Sequence, residues 1–261
     1  MRLVLALATL AAFTATATAA VTKTTTHDTS ATGLNGQIVV GDAISGLIAT
    51  ELPGDLGWHP ANSDPADQLP AFTDDAGIRA TNLTGLLNDL NPPATPVGVP
   101  VKRVQYNLAS PTWLSEIRVL TGNNLNSDGR VFSTFTVSTS TNNGGTFDLL
   151  GYFESDPLGT INSGGTNAWK STLVSIKDSA LAPLATGVTN LQFDFYAVDN
   201  SQGQYRDPFD GANPFTGIND GLTAAFVSPL VFEVDVIAIP EPASALVALI
   251  GLAGGALLRK R

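Results

Sequence analysis

Cysteine is absent from the 261-residue chain, which excludes both a disulfide framework and a thiolate nucleophile. Histidine is nearly absent. His27 and His59 are the only two, so a His-Glu-X-X-His zinc helix cannot be written, and no Gly-X-Ser-X-Gly elbow or phosphate-cradling glycine loop occurs. Basic residues are sparse: between residues 21 and 239, 9 Lys and Arg stand against 22 Asp and Glu, a net charge of −13. Such a surface repels phosphate backbones and carries no Lys/Arg stripe, so nucleic acid is not an expected partner. The same acidity suits solubility or affinity for divalent cations. No repeat of fixed period is visible, which argues against a propeller or solenoid. Two carboxylates suffice for a glycosidase, yet no pair stands in an apolar setting. The expectation is a protein that is not an enzyme.

What is present is concentrated at the ends. Pro240-Glu241-Pro242 precedes the uncharged run 243–258, and Arg259-Lys260-Arg261 follows it. The prolines stop a strand because neither donates a ladder hydrogen bond. The apolar run of 16 residues is about 24 Å long as a helix, slightly short of the ~30 Å hydrocarbon core. The terminal cations belong on the cytoplasmic side, which puts everything before Pro240 outside. At the other end, Arg2 is a positive n-region and residues 3–13 are a short apolar h-region. The small residues Ala17-Thr18-Ala19-Ala20 suit a signal peptidase, with cleavage after Ala19 or Ala20.

IPEPASALVALIGLAGGALLRKR resembles the PEP-CTERM sorting signal of bacterial exported proteins: box, Ala/Leu/Gly-rich helix and basic tail stand in that family's order. The resemblance implies transient anchorage in the inner membrane and processing near Pro240–Pro242 by an exosortase-type transpeptidase. The mature form would then lie at the cell surface or outside the cell. Proteins with this tail tend to accompany polysaccharide export, which makes exopolysaccharide the expected partner. Gly251 and Gly255 have a helix-packing spacing, but glycine is common throughout such tails.

Four segments follow: a signal peptide (1–20), a Thr-rich lead-in (21–37) read as loose chain or a first edge strand, an ectodomain (38–239) and the sorting signal (240–261). Within the ectodomain, short runs alternate with period two between Gly, Asn, Asp and Pro clusters. Val104, Tyr106 and Leu108 share a face. Trp113, Ile117 and Val119 share another, with a slip near Ser115. Phe135 and Val137 lie together, and Phe147 and Leu149 follow across the turn Asn142-Asn143-Gly144-Gly145, whose residues tolerate positive φ. Leu191, Phe193, Phe195 and Ala197 form one face, and Leu230, Phe232, Val234 and Val236 another. Only residues 82–90 hint at a helical turn, weakened by Gly85. The pattern predicts an all-β fold, an antiparallel β-sandwich or jelly roll.

Residues 105–150 add detail. The strands around Tyr106, Ile117 and Val119, then Phe135-Thr136-Val137-Ser138-Thr139-Ser140 and Thr146-Phe147, resemble discoidin or coagulation-factor C-type domains. These are jelly rolls of the galactose-binding-like class. The family often opens with a Thr-Asp-Gly box and closes on a strand bearing an acidic residue. Here Phe72-Thr73-Asp74-Asp75 and Val231-Phe232-Glu233-Val234 stand in those places, so Asp75 replaces the usual glycine. The resemblance implies a calcium ion where loop and strand meet, with Asp74 and Glu233 as ligands, Asp75 as a further one, and loop carbonyls completing the shell. The competing reading is that Asp74 and Asp75 cap a turn while Glu233 faces solvent.

Two other features are candidates. Asn124, Asn126, Asp128 and Gly129 match the first half of a calcium loop, but the twelfth position is Phe135 rather than Glu, so a polar inter-strand loop is the better reading. Loop aromatics are the usual sugar platform. Trp58, Trp169, Tyr205, Phe209 and Phe215 fall in polar segments, with Arg206, Asp207 and Asp210 close by to bond hydroxyls. Such rings more often close off the end of a core, as Trp113 is expected to do.

Overall fold

The computed structural model describes residues 20–79, 83–123, 129–162, 169–198 and 204–240. The signal peptide through Ala19, the half-motif at 124–128 and everything from Glu241 onward, including the 243–258 run and the basic tail, lie outside the described residues. Among those described, no helix is long and apolar enough to cross a membrane.

The fold is all-β and antiparallel. In chain order the strands are β1 (Val21–Asp28), β2 (Thr50–Glu51), β3 (Lys102–Gly122), β4 (Thr134–Ser140), β5 (Asp148–Glu154), β6 (Ser171–Asp178), β7 (Ala185–Tyr196) and β8 (Val231–Ile239). They hydrogen-bond in the order β1-β6-β3-β7-β4-β5, with β2 and β8 also on β3. Only short 3-10 turns interrupt them.

β3 organises everything. Its first half pairs with β7 and β2; its second half pairs with β8 from Trp113 and with β6 from Glu116, while β7 pairing persists irregularly at Thr112 and Leu114. Between them the chain is exposed at Ala109, Ser110 and Pro111 and the register shifts, so one strand serves two layers. Both layers line one core. Val104, Tyr106, Phe135, Val137, Leu191, Phe193 and Phe195 come from one layer, and Ile117, Val119, Val174, Ile176, Val234 and Val236 from the other. Burial of these alternating side chains is the main stabilising term in a chain without disulfides.

The expected faces hold where pairing is regular and fail at bulges. Leu149 is 54% exposed. The register shift after Val137 brings Leu149 opposite Ser138 and sends it outward, leaving Phe153 as the buried residue of β5. A second shift, between Leu120 and Thr121, puts Val231 in the main core and moves Phe232 to a smaller cluster with Leu120, Leu173 and Leu86. Trp113 is only half-buried, and Leu114 takes the core position instead. The slip expected near Ser115 coincides with the β3–β8 register shift between Leu114 and Glu116. No helix forms at 83–90: Gly85 has φ +67° and lies so close to the Val231 carbonyl that a Cβ would collide with it.

The first eight residues of the Thr-rich lead-in form β1, paired with β6 over the strand's whole length, and turns follow through Gln37. β1 and β5 are the two ends of the strand path, and side chains close the seam between them. Lys23 Nζ donates to the Glu154 carbonyl and Thr25 Oγ1 to that of Ser155. His27 Nε2 lies 2.5 Å from Asp156 Oδ1, Nδ1 lies 2.8 Å from Thr172 Oγ1, and the ring stacks on Trp169. This lattice covers edges that would otherwise offer unpaired backbone to another chain. Replacing His27 by Ala leaves Asp156 buried without its partner, and is expected to cost about 1–3 kcal/mol in urea unfolding; an unchanged midpoint would show that the seam contributes nothing.

Candidate functional site

The most unusual electrostatics lie on the outer face of β8. Val234 and Val236 point into the core, so Glu233 and Asp235 point the other way, opposite Leu120 and Arg118 of β3. That face would ordinarily be wet. Here both carboxylates are 1% exposed, because two connecting segments lie over them. The segment around Asp42 runs along β8: Ala43 N–H donates to the Val236 carbonyl at 2.9 Å, Val236 N–H to Asp42 Oδ1 at 3.0 Å, and Val39 N–H to Asp235 Oδ2 at 3.1 Å. The segment 73–78 is the second cover. Gly46 N–H donates to the Thr73 carbonyl, and Asn35 Oδ1 accepts from Ile78 N–H at 3.1 Å.

Four carboxylates thus gather with few cations. Neither oxygen of Glu233 and not Oδ1 of Asp235 has a hydrogen-bond partner. Burial foremost, then the neighbouring Asp235, pushes the Glu233 carboxyl up to about 8. The amides of Gly77 and Asp75 face it and moderate the rise, yet neither is aligned as a hydrogen bond. Burial likewise pushes Asp235 up to about 7, against the Val39 amide and Arg118, and raises Asp42. Arg118 is largely engaged elsewhere, by Glu116 Oε1 at 2.6 Å. The Ser45 hydroxyl lies 3.2 Å from Asp42 Oδ2 and 2.7 Å from Asp75 Oδ1, and its one proton serves only one of them at a time. The spot is poor in hydrogen-bond donors and positive charge.

Asp75, expected as a ligand, sits at the rim of this cluster, with Gly41 N–H donating to its Oδ2 at 3.3 Å. Its φ is +59°, a region that glycine enters freely and that Asp tolerates better than most residues. Asp74 does something else: it pairs with Arg79 and accepts the Ala76 N–H at 2.9 Å. Glu233 does not face solvent. Asp42 and Asp235 escaped the sequence reading. The alternation of acid and valine along Glu233-Val234-Asp235-Val236 was the available signal, but it is equally the pattern of a strand with a wet outer face.

The donor set suits a hard cation in part. Buried carboxylate oxygens without donors are what Ca²⁺ ligates, and its charge would offset the cost of ionising Glu233. Among the described residues, however, no three His, Cys, Asp or Glu side chains converge as a ready-made ligand set. Glu233 would therefore act with at most one neighbour, Asp75 or Asp235, and with main-chain oxygens.

The candidate sugar-binding residues are dispersed. Tyr205, Arg206 and Asp207 are 0–2% exposed and present nothing to a surface ligand, which corrects the expectation placed on them. Tyr205 OH bonds to Thr134 and lies 3.2 Å from the Ser133 carbonyl. Arg206 Nη1 donates to Thr223 Oγ1 at 2.6 Å, and Asp207 caps Phe209 N–H at 2.8 Å. Their sequence is loop-like, but the loop folds onto the sheet. Trp169 is half-buried against His27. Trp58 packs edge-on to Phe72 and donates from Nε1 to Glu51 at 2.6 Å. The ring best placed for contact is Phe215, 40% exposed and stacked on Tyr152 at 4.8 Å. His59 bonds the Ala61 N–H at 3.1 Å, as a turn residue does. Pro240 is exposed directly after β8. No protein-family model and no curated protein matches the chain.

The carboxyls of Glu233 and Asp235 give a signed pH dependence. Unfolded, both titrate near 4; folded and free of metal, they hold their protons to about 8 and 7. Between those limits the folded state binds the extra protons. Their contribution is thus complete below about pH 4 and is lost as pH rises through about 7 to 8. In EGTA the melting temperature should fall by roughly 5 °C or more between about pH 5 and pH 8. Glu233→Gln should flatten that slope, and an equally steep slope in the variant would remove Glu233 from the account.

Proposed function

We propose that the chain is an exported, non-catalytic component of the cell surface or extracellular matrix. Its β-sandwich is a galactose-binding-like jelly roll completed by Ca²⁺, and it binds or organises exopolysaccharide. The observation that carries the cation is Glu233, a carboxylate sealed under two segments with neither oxygen bonded. Glu233 holds the ion together with Asp75 or Asp235 and carbonyls of 73–78, which pins both covering segments to β8. Ca²⁺ supplies charge neutralisation there, not chemistry on a substrate. Export rests on the two chain ends: a signal peptidase removes the first 19 or 20 residues, and an exosortase-type enzyme acts at Pro240-Glu241-Pro242. That box begins one residue after β8 ends at Ile239, so processing leaves the sheet whole.

A discrete lectin-like module is the second reading, and the partly exposed Phe215 ring stacked on Tyr152 favours it. A flat ring supported from behind suits the apolar face of a pyranose.

At about 100 times its Kd, Ca²⁺ should add ~2.7 kcal/mol to the metal-free protein at neutral pH. Identical melting midpoints in millimolar Ca²⁺ and in EGTA would take the ion out of the reading. Mass spectrometry of the secreted protein should place its new C-terminus within residues 240–242, and an intact Arg261 on it would refute the sorting step. Secreted protein should also be retained on immobilised native exopolysaccharide, with Phe215→Ala reducing retention several-fold in the lectin reading. Flow-through of the wild type would argue against both carbohydrate readings.

A further inference from the structure

The buried lysine at the start of β3 has no part in the cation site. The Lys102 side chain is 1% exposed, and its Nζ lies 4.6 Å from the centre of the Trp58 ring. Two carboxylates face it, Glu51 Oε1 at 2.5 Å and Asp55 Oδ2 at 3.4 Å. Neither is aligned as a hydrogen bond to Nζ. An ion pair kept only for stability would be expected to align its donors, since a buried ammonium that does not is costly. Asp55, by contrast, is held firmly: Oδ1 accepts the Gly57 N–H at 3.0 Å and Oδ2 the Arg103 N–H at 2.9 Å. A buried amine thus stands against an oriented carboxyl group, with a second carboxylate beside the amine.

We propose that Lys102 and Asp55 become joined by an isopeptide bond, with Glu51 as the proton carrier. Glu51 is suited to begin as a base. Although its partial burial opposes ionisation, the Lys102 contact and the Trp58 N–H hold its carboxyl below the usual range. Glu51 takes one proton from the Lys102 ammonium and passes it to Asp55 Oδ2. The neutral amine adds to Asp55 Cγ, and the Gly57 N–H stabilises the charge that develops on Oδ1. Glu51 then takes a second proton from the nitrogen and delivers it to Oδ2, which leaves as water. One N–C bond forms and one C–O bond breaks. Ammonium and carboxylate become amide and water, Glu51 ends ionised as it began, and no oxidant is required. Proximity in a desolvated pocket is what makes amide formation from such groups feasible.

The placement gives the bond a purpose. β2 is only two residues long and pairs with β3 at Thr50 and Glu51, after which the edge is held by single backbone bonds such as Leu52 N–H to the Arg103 carbonyl at 2.9 Å. An amide from Asp55 to Lys102 would tie this thin edge to the central strand in a chain that has no cysteine for the task.

Tryptic mapping of protein purified from the full-length gene tests this directly. The expected product is a branched peptide joining residues 24–79 to 80–103, lighter than its two parts by one water, about 18 Da, and uncut after Lys102. Recovery of linear 24–79 and 80–102 at unmodified masses, from wild type with a β-type far-ultraviolet spectrum, overturns the proposal. Glu51→Gln, a near-isosteric change at a partly exposed position, should cut the cross-linked fraction at least about tenfold at early times. A cross-link formed at the wild-type rate in that variant would overturn the role of Glu51. Asp55→Ala should abolish the branched peptide, and its persistence would overturn the assignment of Asp55.

Discussion

The structure depends on the continuity of β3 through its irregular middle. A 21-residue strand that changes partners halfway forces two layers to share one backbone, and the shared core follows because Val104 and Tyr106 on one half and Ile117 and Val119 on the other face the same interior. With no disulfide to fall back on, loss of that strand would separate the layers. Everything of functional interest lies near it. Lys102 is its first residue, Arg118 lies across from Asp235, and Leu120 lies across from Glu233.

The protein handles buried charge in two contrasting ways. Around Lys102, one cation faces two anions under an aromatic ring, and the local charge is near balance. Around Glu233, Asp42, Asp75 and Asp235 share one covered region without converging on a point, and Arg118 is mostly committed to Glu116. The first arrangement is self-sufficient in charge but poorly aligned in bonds; the second is well ordered at Asp42, whose Oδ1 holds two amides, but short of positive charge. A buried polar group left without a partner costs of order 1–3 kcal/mol, and more when charged. Each cluster is where we propose that something further offsets the cost, a covalent bond in one case and a cation in the other.

Much of the antiparallel sheet was legible because period-two alternation survives wherever pairing is regular. Phe135 with Val137, and Leu191 with Phe193 and Phe195, lie as their spacing predicts. Leu149 and Phe232 do not, because one bulged residue reverses the side to which a strand points, and nothing local to either sequence announces it. Of the acidic cluster, Asp75 and Glu233 stood in the sequence as an acidic residue of a turn and one of a strand, and the structure brings the two close together. Asp42 and Asp235 were not legible: Asp42 reaches Val236 across 194 residues, and no local pattern encodes such a separation. Tyr205, Arg206 and Asp207 misled because Pro, Gly and Asp mark a loop without telling whether it stands in solvent or folds back on the sheet.

Composition and local pattern alone determined the all-β class, the turn positions and the lack of a disulfide framework. Each depends only on composition or on residues near in sequence: pleat alternation, positive-φ tolerance and proline's missing N–H. Tertiary structure alone decided which carboxylates lose their water. Burial depends on which distant segment comes to lie over a strand. An acidic residue on β8 is a solvated surface group until residues 38–45 and 73–78 cover it, and only then does its charge become a demand on the rest of the molecule.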